Sequence, residues 1–281
     1  MSTSSLTWQV ATAGATGAQH EAAGLPYQDA AATVGLAADG APGPVAVAVA
    51  DGHGHTRHFR SDRGARFAAG AACQVGAQLV PQLEAAADAA DVESIVDDAI
   101  VGPVLTRWRR AVAADLVAEP MEADDPVLAY GSTLAVAVLT GRWAVAAQIG
   151  DGDMIGIGPS GDAVPLVAPA PVLDGNRTAS LCQDDAEEAF RVAVLDVRVT
   201  PVVAVLLATD GYGNAQVDDP WEPGVAADLA RLLQERGGAW VATQLPSWAA
   251  RCASSEGSGD DVTLALAFDA SCGDARADRQ P

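Results

Sequence analysis

The chain has 281 residues, nearly half of them apolar, and a formal net charge of −21 from 37 acidic and 16 basic side chains. That length and apolar content fit a packed globular protein. A field of that sign disfavours nucleic acid, which is bound through Lys and Arg at its phosphates, and repels anionic lipid.

Residues 5–13 form a first candidate strand. Residues 44–50, PVAVAVA, are a strand-length apolar run that stops at Asp51-Gly52. Ala72, Val75, Gly76, Leu79, Val80 and Leu83 then recur at the spacing of one helix face. Val101, Val104, Leu105, Trp108 and Ala111 do the same, with Pro103 expected to break or kink that helix. Residues 133–139 and 143–149 read as a hairpin across Thr140-Gly141-Arg142. Residues 159–188, rich in Pro, Gly, Asp and Ala, read as an irregular flap. Residues 189–197 and 202–209 read as a further strand pair, with Pro201 at the junction. Helices follow over 225–235 and 239–253, divided by Gly237-Gly238, and 262–268 is a last strand.

Strands joined by short turns imply antiparallel sheets, not a doubly wound parallel sheet. One domain is expected over residues 1–270, with a disordered polar tail at 271–281. Cys73, Cys182, Cys252 and Cys272 have no CxxC spacing, which fits reduced thiols and not a zinc site. The first residues show no basic-then-apolar leader and no run approaches a membrane span, so a cytoplasmic protein without a membrane partner is expected.

The acidic residues have a pattern of their own. Asp51, Asp151 and Asp210 each end or follow an apolar run and precede a glycine; Asp260 and Asp261 precede the last run, and Asp29 precedes a short apolar stretch. Strand ends meeting at one sheet edge bring carboxylates together, and their repulsion is relieved by protons or a cation. Oxygen-only ligands favour Mg²⁺ or Mn²⁺. Taken singly, each Asp-Gly is also an ordinary turn.

These same segments resemble the metal-dependent protein phosphatases of type 2C. The matching segments, in the family's order, are YQDA at 27–30, VAVADGHGH at 47–55, YGSTLAVAVL at 130–139 with QIGDGDM at 148–154, LLATDGYGN at 206–214, and GSGDDVTLALA at 257–267. The resemblance implies an α+β fold of four α-β-β-α layers, two antiparallel sheets flanked by helix pairs. It implies hydrolysis of phosphoserine and phosphothreonine in proteins by a water activated between two Mn²⁺ or Mg²⁺ ions, with a weaker third. In that scheme Asp51 bridges the ions, the Gly52 carbonyl and Asp29 serve the second, Asp210 and Asp260 hold the first, and Asp151 joins Asp210 at the third. Asp261 supports from behind, and His53 is the general acid. A phosphorylated protein is the implied substrate and a protein kinase the opposing partner.

The chain departs from the family pattern at three places. Gly24 stands where many members carry a phosphate-binding arginine, with His20, Arg57, Arg60 or Arg63 as candidate substitutes. Asp153 stands where the family has another arginine, and Gln28 where it has an acidic residue. These departures keep a second reading open, a catalytically weak or inactive pseudophosphatase that acts by docking.

Overall fold

The computed structural model describes residues 6–37, 41–169 and 178–272. In chain order the elements are β1 (Trp8–Ala15), α1 (Ala18–Ala23), β2 (Ala30–Gly35), β3 (Val45–Ala50), α2 (Ser61–Ala85), α3 (Ala89–Ala99) and α4 (Val101–Ala118). They continue with β4 (Leu134–Leu139), β5 (Trp143–Ile149), β6 (Asp153–Ile157), β7 (Ala163–Pro165), β8 (Arg191–Asp196) and β9 (Ala204–Ala208). The last are α5 (Asp210–Gly213), α6 (Glu222–Arg236), α7 (Gly238–Cys252) and β10 (Val262–Asp269). The strands make two five-stranded antiparallel sheets, ordered β1-β10-β9-β6-β7 and β2-β3-β4-β5-β8.

Strand alternation builds the layers. On β3, Val45, Val47 and Val49 enter the core between the sheets with Leu207, Ala265 and Ala267. Ala46, Ala48 and Ala50 face the other way, into a core with Ala68, Ala72, Val75 and Leu79 of α2. Both faces of β3 are buried, so its sequence is continuously apolar and does not alternate with polar residues. Small residues let helix and sheet approach closely: a methyl on Gly76 would meet Val138 Cγ2 at 2.7 Å and Ala46 Cβ at 2.9 Å. On the far side, Leu206, Leu264 and Leu266 pack against Leu229, Leu233, Val241 and Leu245 of α6 and α7. The result is the expected four-layer α-β-β-α sandwich.

The structure corrects two local expectations. The runs at 189–197 and 202–209 do not pair: β8 joins β5, whereas β9 lies between β10 and β6 in the other sheet. Apolar content marks a strand but does not choose its partner, and the short connection past Pro201 crosses from one sheet to the other. Pro103 neither breaks nor kinks α4. It lies in the first turn, where an N–H has no intrahelical acceptor, and the break falls at Ile100, which caps both α3 and α4.

Within the flap region 159–188, residues 163–165 form β7 against β6, and residues 170–177 lie outside the described residues. Beyond Cys272, whose carbonyl accepts from Gly238 N at 3.0 Å, the tail also lies outside them. Among the described residues no helix is long and apolar enough to cross a membrane.

Candidate metal centre

The aspartates gather where strands of both sheets end. Asp51 follows β3, Asp151 lies in the turn from β5 to β6, Asp210 opens α5 directly after β9, and Asp260 precedes β10. Asp51, Asp151 and Asp210 each present an oxygen, and the three oxygens lie within 4.8 Å of one another. With Asp260 they line an open cavity of about 490 Å³, together with Gly52, His20 and His53. Gly52 is fixed by close approach: a Cβ there would meet the Gln28 carbonyl oxygen at 2.5 Å and the Ser61 carbonyl oxygen at 2.8 Å.

Protein alone leaves this cluster electrostatically strained. Burial, and then the charges of Asp29, Asp210, Asp260 and Asp151, push the Asp51 carboxyl well above the usual carboxylate range. Burial, Asp151 and Asp260 push Asp210 up to about 6. A divalent cation removes that penalty, and oxygen-only donors suit Mg²⁺ or Mn²⁺. Gln28 Oε1, just before Asp29 in the chain, is buried without a hydrogen-bond partner among the described residues. The residues present therefore fit a divalent-cation site.

Asp29 sits deeper than the other four. Its Oδ2 accepts from Thr209 Oγ1 at 2.7 Å and from Thr263 Oγ1 at 2.9 Å, and burial raises its carboxyl to about 8. Asp261 is buried as well, and accepts from the backbone N–H of Gly17 at 2.7 Å and of Gln28 at 2.6 Å. It thereby ties the N-terminal segment and the Asp29 strand to the start of β10.

The candidate phosphate-binding groups separate. His20 faces two carboxylates, with Nδ1 at 3.0 Å from Asp261 and Nε2 at 3.6 Å from Asp260. Arg60 and Arg63 turn away to Asp115 on α4, at 3.4 Å and 3.0 Å, and Arg63 also pairs with Glu119 at 2.7 Å. Arg57 lines the cavity itself. Gly24 has φ +68° and open space where a Cβ would be.

His53 lines the cavity, its N–H bonded to the Gly131 carbonyl at 3.1 Å and its ring 4.9 Å from that of His58. Burial, His58 and Arg57 hold it down at about 4. At neutral pH it is an uncharged imidazole, so proton donation from His53 requires an anion beside it to raise that value.

Sequence reasoning missed the Thr209 and Thr263 hydroxyls on Asp29, although each threonine lies within two residues of a singled-out aspartate. It also missed a second acidic pair: burial, then the charge of Glu222, pushes Asp153 up to about 7.

The fold is thus two stacked antiparallel sheets clad in helices, with carboxylates collected where strands of both sheets end, beneath an open cavity. The chain belongs to the protein phosphatase 2C family, whose model matches residues 16–248. No curated protein sequence matches it. Among solved structures, a bacterial serine phosphatase has 15% identity and a TM-score of 0.60, over 93% of this chain and 97% of that one. The catalytic domain of the serine/threonine protein phosphatase PstP, solved with 2 manganese ions, has 17% identity and a TM-score of 0.53, over 94% and 98%. PppA, a regulatory component of the type VI secretion system of Pseudomonas aeruginosa, has 18% identity and a TM-score of 0.57, over 94% and 98%. At such identities these likenesses speak for the fold.

Proposed function

We propose that this chain is an active, metal-dependent phosphatase of phosphoserine and phosphothreonine in proteins. The observation that carries the reading is the convergence of Asp51, Asp151 and Asp210 oxygens within 4.8 Å on the floor of an open cavity. When bound there, two Mn²⁺ or Mg²⁺ ions supply positive charge to a phosphate dianion and acidity to a water. Asp51 would be shared between the ions, Asp210 and Asp260 would hold one, and the Gly52 carbonyl and Asp29 would serve the other. Asp151 would join Asp210 at a weaker third. His53 would donate a proton to the departing serine or threonine oxygen once the phosphate stands beside it.

Family membership supports a phosphoprotein substrate, and a protein kinase would supply it. The reading places this work in the cytoplasm. Asp153 in place of an arginine favours one alternative, a docking module without turnover. Phosphate release from a phosphothreonine peptide separates the two. The phosphatase reading expects release with Mn²⁺ or Mg²⁺, none with EDTA, and slower release from a phosphosugar. Folded protein that releases no phosphate with either ion supports the docking module.

A further inference from the structure

The cavity above the carboxylates is poor in positive charge. Asp51, Asp151, Asp210 and Asp260 line it; the sequence contains no lysine, and Arg57 is the only arginine among the described lining residues. A phosphomonoester approaching it is an anion, and it meets one permanent side-chain cation.

The position of that cation is fixed by two histidines and a carbonyl. Arg57 lies in a 3-10 turn, Thr56–His58, and its backbone N–H donates to His55 Nδ1 at 3.2 Å. Its Nε donates to His58 Nε2 at 2.9 Å. The other ring nitrogen, His58 Nδ1, lies 2.5 Å from the Leu128 carbonyl oxygen. A carbonyl oxygen only accepts, so Nδ1 carries the proton and Nε2 keeps the lone pair that Arg57 uses. His58 is buried, and its ring stands edge-on to that of His53 at 4.9 Å. Arg57 makes no ion pair among the described residues, whereas Arg60 and Arg63 are committed to Asp115 and His20 to Asp260 and Asp261. Its two terminal nitrogens keep four N–H donors in a planar fork, the geometry that matches phosphate oxygens.

We propose that Arg57, aimed by the neutral Nδ1–H tautomer of His58, is the side chain that clamps the substrate's phosphate in this cavity. The inference rests on the phosphatase reading above. Arg57 touches the phosphate, and His58 is a positioning residue that acts through it. The clamp enters from the loop after Asp51-Gly52, on the cavity wall shared with His55 and Leu128, and not from the α1 end where Gly24 lies.

The test is a calorimetric titration of inorganic phosphate into the Mg²⁺-loaded full chain, with Mg²⁺ affinity and melting temperature measured on the same samples. Arg57→Ala is expected to weaken phosphate binding about tenfold or more, the effect of losing one charge-assisted pair, with Mg²⁺ affinity unchanged. KM for a phosphopeptide rises by a similar factor while kcat changes less. Arg57→Lys restores part of the binding. His58→Gln, which keeps an acceptor, retains more than His58→Phe. Wild-type protein that binds phosphate no better than Arg57→Ala overturns the clamp. Hydrolysis that proceeds with an unchanged KM in Arg57→Ala removes the clamp and leaves the phosphatase reading standing. Arg57-dependent phosphate binding without hydrolysis does the reverse.

Discussion

Thr209 Oγ1 donates to Asp29 Oδ2 at 2.7 Å, which joins the end of β9 in one sheet to the start of β2 in the other. The same hydroxyl accepts from Thr263 N at 2.8 Å, and Thr263 Oγ1 in turn donates to Asp29 at 2.9 Å and bonds the Tyr27 hydroxyl. The Asp29, Thr209 and Thr263 bonds are buried near where the carboxylates collect, and the Tyr27 bond is partly buried. Thr209→Val keeps the side-chain shape and removes both bonds, leaving an N–H and part of a carboxylate unpaired. It is expected to cost about 1–3 kcal/mol in a urea titration. A loss below about 0.5 kcal/mol would show that the hydroxyl does not hold the sheets at this edge.

The raised carboxyls give metal-free protein a characteristic pH dependence. Asp29 titrates at about 8 and Asp210 at about 6 in the fold, and Asp51 is also well above its ordinary value. In the unfolded chain all three release their protons near pH 4. Between about pH 4 and 8 the folded state therefore holds more protons, and stability falls as pH rises. Melting temperature in EDTA is expected to decline from pH 5 to pH 8, and added Mg²⁺ to restore it most at pH 8. A melting temperature that does not respond to Mg²⁺ at pH 8 contradicts a cation site among these residues.

Asp115 organises the wall behind the DGHGH loop. It accepts from the Tyr130 hydroxyl at 2.6 Å and from Arg63 at 3.0 and 3.1 Å, and pairs with Arg60. Against the effect of burial, the Tyr130 hydroxyl and Arg63 hold its carboxyl below the usual range. Its contribution is thus fully present above pH 4 and is lost as pH falls through the lowered value. Asp115→Ala is expected to cost about 2 kcal/mol at pH 7 and much less near pH 2. Equal losses at both pH values would assign the effect to packing.

Much of this was legible in the sequence because it is local. The run at 44–50 ends at Asp51 in the fold as it does in the sequence, and the Thr140-Gly141-Arg142 turn joins β4 to β5 in register. β6 escaped notice because Met154-Ile155-Gly156-Ile157 is short and interrupted by glycine. α3 was hidden by its few buried positions, Val92 and Val96. What could not be read was partnership: the Thr209 contact to Asp29 spans 180 residues, and the choice of Asp115 by Arg60 spans 55. Such contacts are decided by sheet order, which local pattern does not encode. The Arg57–His58 bond is local, yet its direction depends on Leu128, 70 residues from His58.

The central claim is that the carboxylates at this sheet edge hold catalytic cations. Counting Mn²⁺ bound per chain by equilibrium titration, with hydrolysis of p-nitrophenyl phosphate followed in the same samples, tests it most directly. Wild type is expected to bind at least two ions, with activity rising as the second site fills. Asp51→Asn, which removes the proposed shared ligand, is expected to lose both tight binding and more than about 99% of the activity, in line with the loss of a metal-ligand carboxylate. Two tightly bound ions and undiminished turnover in Asp51→Asn, or turnover that persists in wild type after full chelation, would contradict the account.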